Sequence, residues 1–520
     1  MNNNKNLTIN EVFSQAVKNH QEGKTYIALK LYNQVLKIEP NHSQSYNNIA
    51  MIFKQLGENQ KAKDCYEKAI TINPNYADAH YNLGLIFEKL RENQKAKECY
   101  DKAIEINPNY ADAHNNLGNI FVELGEYQKA KDCYDKAIEI NPKYTLAYNN
   151  LGAIFFYLSE NQKAKDCFEK AIEIDPNYLK AHNNLANIYV SQLTDFDIAI
   201  SKSNEVLKIQ QKNHKFINQS VSLFKLKHDV QQANYLNSKN YKINGIDKFI
   251  KIGDEILRRE ENKEEKNDFN KKILLNDNEI NTLLLYSKES HTYQTKTITG
   301  SCINLNKNWS DVEDEYLNSS NQIMYIDNFL SDEALIELRE FCLVSKVWHK
   351  QYDNKYLGAF SNSGFISPIH LQIALDLQQK LPKVFGAHKL GKFWGFKYDS
   401  TLGKGINIHA DSAIHNLNFW ITPDEYNNDK NSGGLKVYDV PAPDNWTFKD
   451  YNASKRKKII YDFLKKNKGK CINVPYKYNR AVLFNSAYFH ETDEIDFKDE
   501  YVGRRINNTY LFGEKTFKIK

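Results

Sequence analysis

NQKAKDCYEKAITINPNYADAHYNLG, residues 59–84, returns in near copies through the amino-terminal part of the chain, and its period decides the fold there. Pro40, Pro74, Pro108, Pro142 and Pro176 stand 34 residues apart. Between them apolar and small residues recur at helical spacing: Leu83, Gly84 and Phe87 on a first helix, then Ala96, Tyr100 and Ala103 on a second. Small residues at Gly84 and Ala96 let the two helices approach, Tyr100 and Ala103 fill the space between copies, and Pro108 marks the turn to the next pair. Six units are expected, at 9–42, 43–76, 77–110, 111–144, 145–178 and 179–212. The first departs from the pattern at Gln15, and the last carries an insertion between Leu193 and Asp197, as suits repeats that cap an array.

A chain of 520 residues exceeds one ordinary core, so several domains are expected. Hydrophobic residues make up 41% and aromatics 12%, a folded composition. Seventy basic against 65 acidic residues leave a formal charge of +5, too small to imply nucleic acid as a partner. No apolar run approaches the roughly eighteen residues of a membrane span, and the amino terminus lacks a signal-peptide core, so a cytoplasmic protein without a membrane partner is expected. Cys65, Cys99, Cys133 and Cys167 follow the 34-residue period, which neither a zinc site nor a disulfide framework would impose. With Cys302, Cys342 and Cys471 they are expected as reduced, mostly buried thiols.

The repeats resemble the tetratricopeptide repeat, a pair of antiparallel helices that stacks into an all-α superhelix. Asn48, Asn82, Asn116, Asn150 and Asn184 share one position of the first helix, where helix propensity asks for no amide. This series resembles the asparagine ladder in the repeats of O-linked N-acetylglucosamine transferases, which implies a groove holding an extended protein or peptide. Amides satisfied within the array are the alternative.

The period is lost over 213–320, expected as a helical and extended linker. From 321 the texture changes to short strands bounded by Gly, Pro, Asn and Asp, after a helix opened by Ser331. Strands are expected at 392–399, 405–411, 413–422, 433–440, 469–477, 479–489 and 504–513, in an antiparallel sandwich or jelly roll. On a strand over 405–411, His409 and Asp411 point the same way, and His490 follows an apolar run downstream. Two histidines and a carboxylate are the set that holds non-haem iron(II) with open positions.

Residues 321–515 resemble the 2-oxoglutarate and iron(II)-dependent oxygenases, prolyl-4-hydroxylase-like branch, by Tyr398, Gly403 or Gly405, His409 with Asp411, Gly433-Gly434-Leu435, His490 and Gly503-Arg504-Arg505. The resemblance implies a double-stranded β-helix (jelly-roll) domain over 321–517 after the repeats of 9–212. Within it His409, Asp411 and His490 would be catalytic iron ligands, and Arg505 with Tyr398 would hold 2-oxoglutarate. Dioxygen would be a partner, and a protein recruited by the repeats the substrate of a hydroxylase. Arg504 would face away, and His415 would line the pocket beside Asn416, Asn418, Trp394 and Trp420. The basic insertion over 455–470 reads as a solvated helix. The alternative is a repeat scaffold with a catalytically silent jelly roll.

Overall fold

A computed structural model describes residues 8–213, 219–261, 271–352, 354–399, 405–443, 446, 448–452 and 456–513. The chain divides into two compact units between Tyr178 and Leu179. The first holds five helix pairs: α1 (Ile9–Gln21) with α2 (Thr25–Ile38), α3 (Ser43–Gln55) with α4 (Asn59–Ile72), α5 (Ala77–Lys89) with α6 (Asn93–Ile106), α7 (Ala111–Glu123) with α8 (Tyr127–Ile140), and α9 (Thr145–Tyr157) with α10 (Asn161–Ile174).

The third, fourth and fifth pairs close on a glycine pressed against a ring. A Cβ at Gly84 would lie 2.6 Å from Tyr100 Cε1, one at Gly118 2.6 Å from Tyr134 Cε1, and one at Gly152 2.7 Å from Phe168 Cε1. These rings are buried with alanines one turn away on either side, such as Ala96 and Ala103 around Tyr100. Outside this seam Phe87, Phe121 and Phe155 each lie between two lysines. Lys63 and Lys95 Nζ stand 5.7 and 5.4 Å from the Phe87 centroid, and Lys97 and Lys129 repeat this at Phe121.

The turn inside the second to fifth pairs needs a left-handed residue, because the next N–H reaches back to the phenylalanine carbonyl, as Glu126 does to Phe121 at 2.8 Å. Gly57 and Gly125 supply it at φ 77° and 76°, while Arg91 and Ser159 are held at φ 62°.

The second unit begins with α11 (Leu179–Gln192) and α12 (Phe196–Lys212). Their Val190, Ala199 and Leu207, with Leu193 between them, join one core with Trp309, Phe341 and Phe365, and Ser203 Oγ donates to Ser361 O at 2.7 Å. Next come β1 (Ser220–Ser222), α13 (Leu223–Ser238), α14 (Ile246–Glu261), β2 (Lys272–Leu274) and α15 (Asp277–Lys288). The stretch expected as a linker is therefore packed: Gln232 donates to Leu343 O and Ser345 O, and Leu236, Phe249 and Tyr286 share a core with Val344.

Then follow α16 (Trp309–Asn318), β3 (Ile323–Ile326), α17 (Asp332–Val344), β4 (Lys350–Tyr352), β5 (Tyr356–Phe360), α18 (Pro368–Lys380), β6 (Leu390–Tyr398), β7 (His415–Trp420) and β8 (Leu435–Pro441). The last elements are α19 (Phe448–Asn452), α20 (Lys457–Lys466), β9 (Cys471–Val474), β10 (Ala481–Asn485), β11 (Tyr488–Thr492) and β12 (Ile506–Phe512). Ser331 caps α17 by accepting from Ala334 N.

The strands β3 to β12 form an antiparallel seven-stranded sheet, β3-β10-β7-β12-β6-β5-β4, and a three-stranded sheet, β11-β8-β9, while β1 and β2 pair by themselves. Alternation gives the large sheet two buried faces. Leu417, Phe419, Leu483 and Tyr510 point to the helices, and Phe396, Tyr398, Trp420 and Phe484 to a second core shared with Leu435 and Val437. This corrects the expected closed jelly roll: both sheets are open. The strand expected over 405–411 is absent, and only an isolated bridge between His409 and His490 stands there. Without a strand at that place no continuous ladder joins the two sheets among the described residues.

Gly118→Ala should destabilise by about 1–3 kcal/mol, because the Tyr134 ring fills the space of the new methyl. Ser159→Gly should stabilise by about 1 kcal/mol by relieving its left-handed backbone. Urea unfolding of the two variants reads both, and equal midpoints would refute the pair.

His370 on α18 is fully buried, its Nδ1 2.8 Å from Ser367 Oγ and its Nε2 without a hydrogen-bond partner. Burial pushes its pKa down to about 3. The unfolded chain, at about 6.5, takes up the proton first, so this stability is full above that pH and is lost as pH falls toward 3. His370→Gln should flatten the acid limb of a melting-temperature profile between those limits; an unchanged slope refutes the assignment.

Candidate functional site

Two constellations stand out, one in each unit. On the second, His409 and Asp411 lie on the loop before β7, and His490 lies on β11. The backbones of His409 and His490 exchange hydrogen bonds of 3.0 and 2.8 Å, which places the two rings 4.2 Å apart. Each Nδ1 is held by the carbonyl two residues earlier, at Asn407 O (2.9 Å) and Tyr488 O (3.0 Å). That leaves both Nε2 atoms turned to Asp411, at 3.9 Å from Oδ1 and 3.4 Å from Oδ2. One ligand atom from each of the three lies within 4.8 Å of the others. Burial, then His490, pushes the His409 pKa down to about 4. Against the cost of burial, the two imidazoles and Asn416 hold the Asp411 carboxyl below its usual value.

Asp411 is positioned by amides that the strand period turns inward. Asn416 Nδ2 donates to its Oδ2 at 2.7 Å, Asn418 Nδ2 to Asn416 Oδ1 at 2.5 Å, and Asn507 Nδ2 and Thr509 Oγ1 to Asn418 Oδ1 at 3.1 and 2.6 Å. Asn507 and Thr509 belong to no motif in the sequence, and their alternation in INNTYLF is the one signal that could have found them. His415 stands apart, its Nδ1 3.2 Å from Tyr316 Oη and its ring against Phe385 and His388.

Arg505 and Arg504 are both 1% exposed and point to opposite sides. Arg504 reaches Gln231 and lies 3.7 Å from Asp399. Arg505 donates from Nε to Gly433 O at 2.6 Å and from Nη2 to Gly434 O at 3.3 Å, with its guanidinium over the Tyr398 and Trp420 rings. Gly434 serves the close approach of the neighbouring backbone, since a Cβ on it would stand 1.9 Å from Val474 O. Gly405 is packed on Thr492, and Gly403 lies outside the described residues.

These facts correct the cosubstrate site and the reaction drawn from it. Two of the Arg505 donors are already used on backbone carbonyls. Arg505, Tyr398 and Trp394 line a narrow cavity with the His409–Asp411–His490 cluster. With both sheets open, the double-stranded β-helix that an iron(II) and 2-oxoglutarate hydroxylase requires is not present among the described residues. Residues 321–517 are therefore not assigned to a 2-oxoglutarate dioxygenase using iron(II) and dioxygen. The basic insertion is α20, whose Ile460 and Leu464 pack under Ile408 and Phe489; Lys455 lies outside the described residues.

In the first unit the asparagines lie along the first helices and bond from one pair to the next. Lys54 Nζ donates to Asn82 Oδ1 at 3.1 Å, Asn116 Nδ2 to Tyr81 Oη at 3.1 Å, and Asn150 Nδ2 to Asn115 Oδ1 and Asn119 Oδ1 at 3.0 and 3.1 Å. Asn48 on α3 donates to Tyr32 Oη on α2 of the preceding pair at 3.2 Å. All four are half-buried; Asn184, also half-buried, stands on α11 in the second unit. The neighbouring Asn47, Asn115 and Asn149, one position earlier in the same helices, are buried and prop the series, Asn115 Nδ2 donating to Asn116 Oδ1 at 3.1 Å. Asn115 and Asn149 stand 34 residues apart and Asn47 stands 68 before Asn115, with Tyr81 at the intervening place, which was a signal for them in the sequence.

Tetratricopeptide repeat family models match residues 77–110, 111–144 and 145–178, with others of the same repeat at 50–90, 31–64 and 167–215. No curated protein matches the chain. Among solved structures, MamA is 28% identical over 32% of this chain and 96% of its own, at a TM-score of 0.29. YrrB, described as a repeat protein with an unusual peptide-binding site, is 24% identical over 33% and 88%, also at 0.29. A thermophilic repeat protein of Thermus thermophilus is 20% identical over 35% and 100%, at 0.30. The matched family models all fall within the repeats, and none supports the oxygenase resemblance of the second half. Residues 31–215 of this chain carry tetratricopeptide repeats.

Proposed function

We propose that this protein is an interaction scaffold whose repeats bind an extended segment of a partner protein along the asparagine seam. The observation that carries the reading is the line of half-buried amides from Asn82 through Asn116 to Asn150, bonded across consecutive first helices. An amide carries two donors and an acceptor, so a side chain already oriented by its neighbours still has capacity for a peptide backbone. Backbone recognition by fixed amides tolerates many sequences, as a scaffold requires. No helix among the described residues is long and apolar enough to cross a membrane. All seven cysteines are free, Cys302 and Cys342 buried, the repeat cysteines half-buried and Cys471 exposed, which supports a reducing, cytoplasmic setting.

Random twelve-residue peptides displayed on phage and selected on the full chain test the reading. Selected peptides should bind the Asn116→Ala/Asn150→Ala variant at least tenfold more weakly while its circular dichroism stays native. Unchanged affinity with a lowered melting temperature would make the amides structural only.

The second constellation supports a separate proposal: His409, Asp411 and His490 hold a divalent cation that ties the loop before β7 to β11. Two imidazoles with fixed Nε2 atoms and one carboxylate form a donor set for such an ion. Calorimetric titration of the full chain with zinc should show one site, lost in His490→Ala and kept in His415→Ala. Equal binding by the two variants overturns it.

A further inference from the structure

The second helices of the first unit carry a feature that the asparagine seam does not use. A cleft of about 370 Å³ opens between α4 and α6, lined by Glu67, Ile70, Leu83, Glu98, Cys99 and Lys102. Its floor is apolar, with Leu83 buried and Ile70 half-buried, and its two glutamates stand at the rim. Lys102 is already taken by Glu105 at 2.8 Å, and Glu67 lies 3.6 Å from Lys63. Glu98 accepts only the neutral Gln94 amide, at 3.1 Å, and forms no ion pair among the described residues.

The same chemistry returns with the repeat. Asp101 and Asp132 stand 34 residues beyond Glu67 and Glu98, and Asp135 and Asp166 another 34 beyond. Asp132 and Asp166 likewise accept a glutamine amide, from Gln128 at 2.9 Å and Gln162 at 2.8 Å, without an ion pair among the described residues. Each pair converges on one thiol. Beyond burial, Glu98 and Glu67 raise the pKa of Cys99, Asp101 and Asp132 that of Cys133, and Asp135 and Asp166 that of Cys167. The acidic pair thus recurs in a row at three successive repeat junctions, from α4 to α10, with Ile104 and Leu117, then Ile138 and Leu151, at the places of Ile70 and Leu83; at the first junction Asn33 replaces one carboxylate.

We propose that this row is a docking surface for an extended, cationic segment of a partner protein, one arginine or lysine entering each cleft. A long aliphatic stem suits the apolar floor, and the charged head meets the carboxylates that lack a cation. A helix is about 10–12 Å across with its side chains, and an extended chain advances about 3.3 Å per residue, so a segment matched to successive second helices carries its cations at about every third position.

The probe is a fluorescein-labelled peptide of three Arg-Ser-Val units, titrated against the full chain by anisotropy. Glu98→Gln/Asp132→Asn should weaken binding tenfold or more. Glu92→Gln/Glu126→Gln, which removes equal charge from the helix starts, should change it less than twofold. Bound peptide should also slow alkylation of Cys99 and Cys133, read by mass spectrometry. Asn116→Ala/Asn150→Ala should leave this probe unaffected, which separates the surface from the asparagine seam. Equal weakening by both charge variants, or unprotected thiols, would reduce the effect to net charge and overturn the proposal. Self-association abolished by Glu98→Gln/Asp132→Asn, with no peptide binding, would also overturn it by assigning the row to a second copy.

Discussion

The third, fourth and fifth pairs share one steric fact: the ring of the second helix occupies the volume that a Cβ on the first helix would need, while Ala16 and Ala50 hold that place in the first two. Tyr100 against Gly84, Tyr134 against Gly118 and Phe168 against Gly152 are the same contact. Glycine in mid-helix costs up to about 1 kcal/mol in propensity, which burial of an aromatic side chain more than offsets. Once that seam closes, the other faces of each helix are assigned. The asparagines fall between consecutive first helices, and the cysteines and acidic pairs fall between second helices. Two surfaces of different chemistry thus follow from one packing rule, a neutral one of amides and an acidic one with an apolar floor.

The second unit is organised by alternation along a sheet buried on both faces. On β12, Ile506 and Tyr510 meet the helical layer while Asn507 and Thr509 meet the amides that hold Asp411. Arg505 anchors the other end of this pocket. A buried guanidinium without a carboxylate partner is costly, and here two carbonyls and the faces of Tyr398 and Trp420 offset part of the cost, while Nη1 has no hydrogen-bond partner among the described residues. The arginine therefore braces the Gly433–Gly434 corner.

Legibility of the sequence differs between the halves for a physical reason. A repeat states each contact several times, so the glycine, the ring and the proline check one another within the sequence alone. The second half states each contact once. There the residues of the cluster are legible, and the fold brings His409, Asp411 and His490 together. The strand expected to carry two of them is not: GINIHAD alternates like a strand, yet only His409 forms a bridge. Periodicity reports which side chains share a side, whereas a ladder needs a partner edge, which belongs to the tertiary fold.

By itself the sequence determined the helical pairs, their period, the small-against-aromatic seam and the identity of the polar residues that recur along it, because these rest on local geometry and repetition. Only the tertiary structure decided that α11 and α12 belong to the core of the second unit and that the stretch from α13 to α15 is packed rather than a connector. It also decided that the two sheets stay open and that Arg505 turns two of its donors to the Gly433 and Gly434 carbonyls. Those outcomes depend on which surfaces meet across hundreds of residues, and on volumes left over after packing, neither of which is encoded in the spacing of residues along the chain.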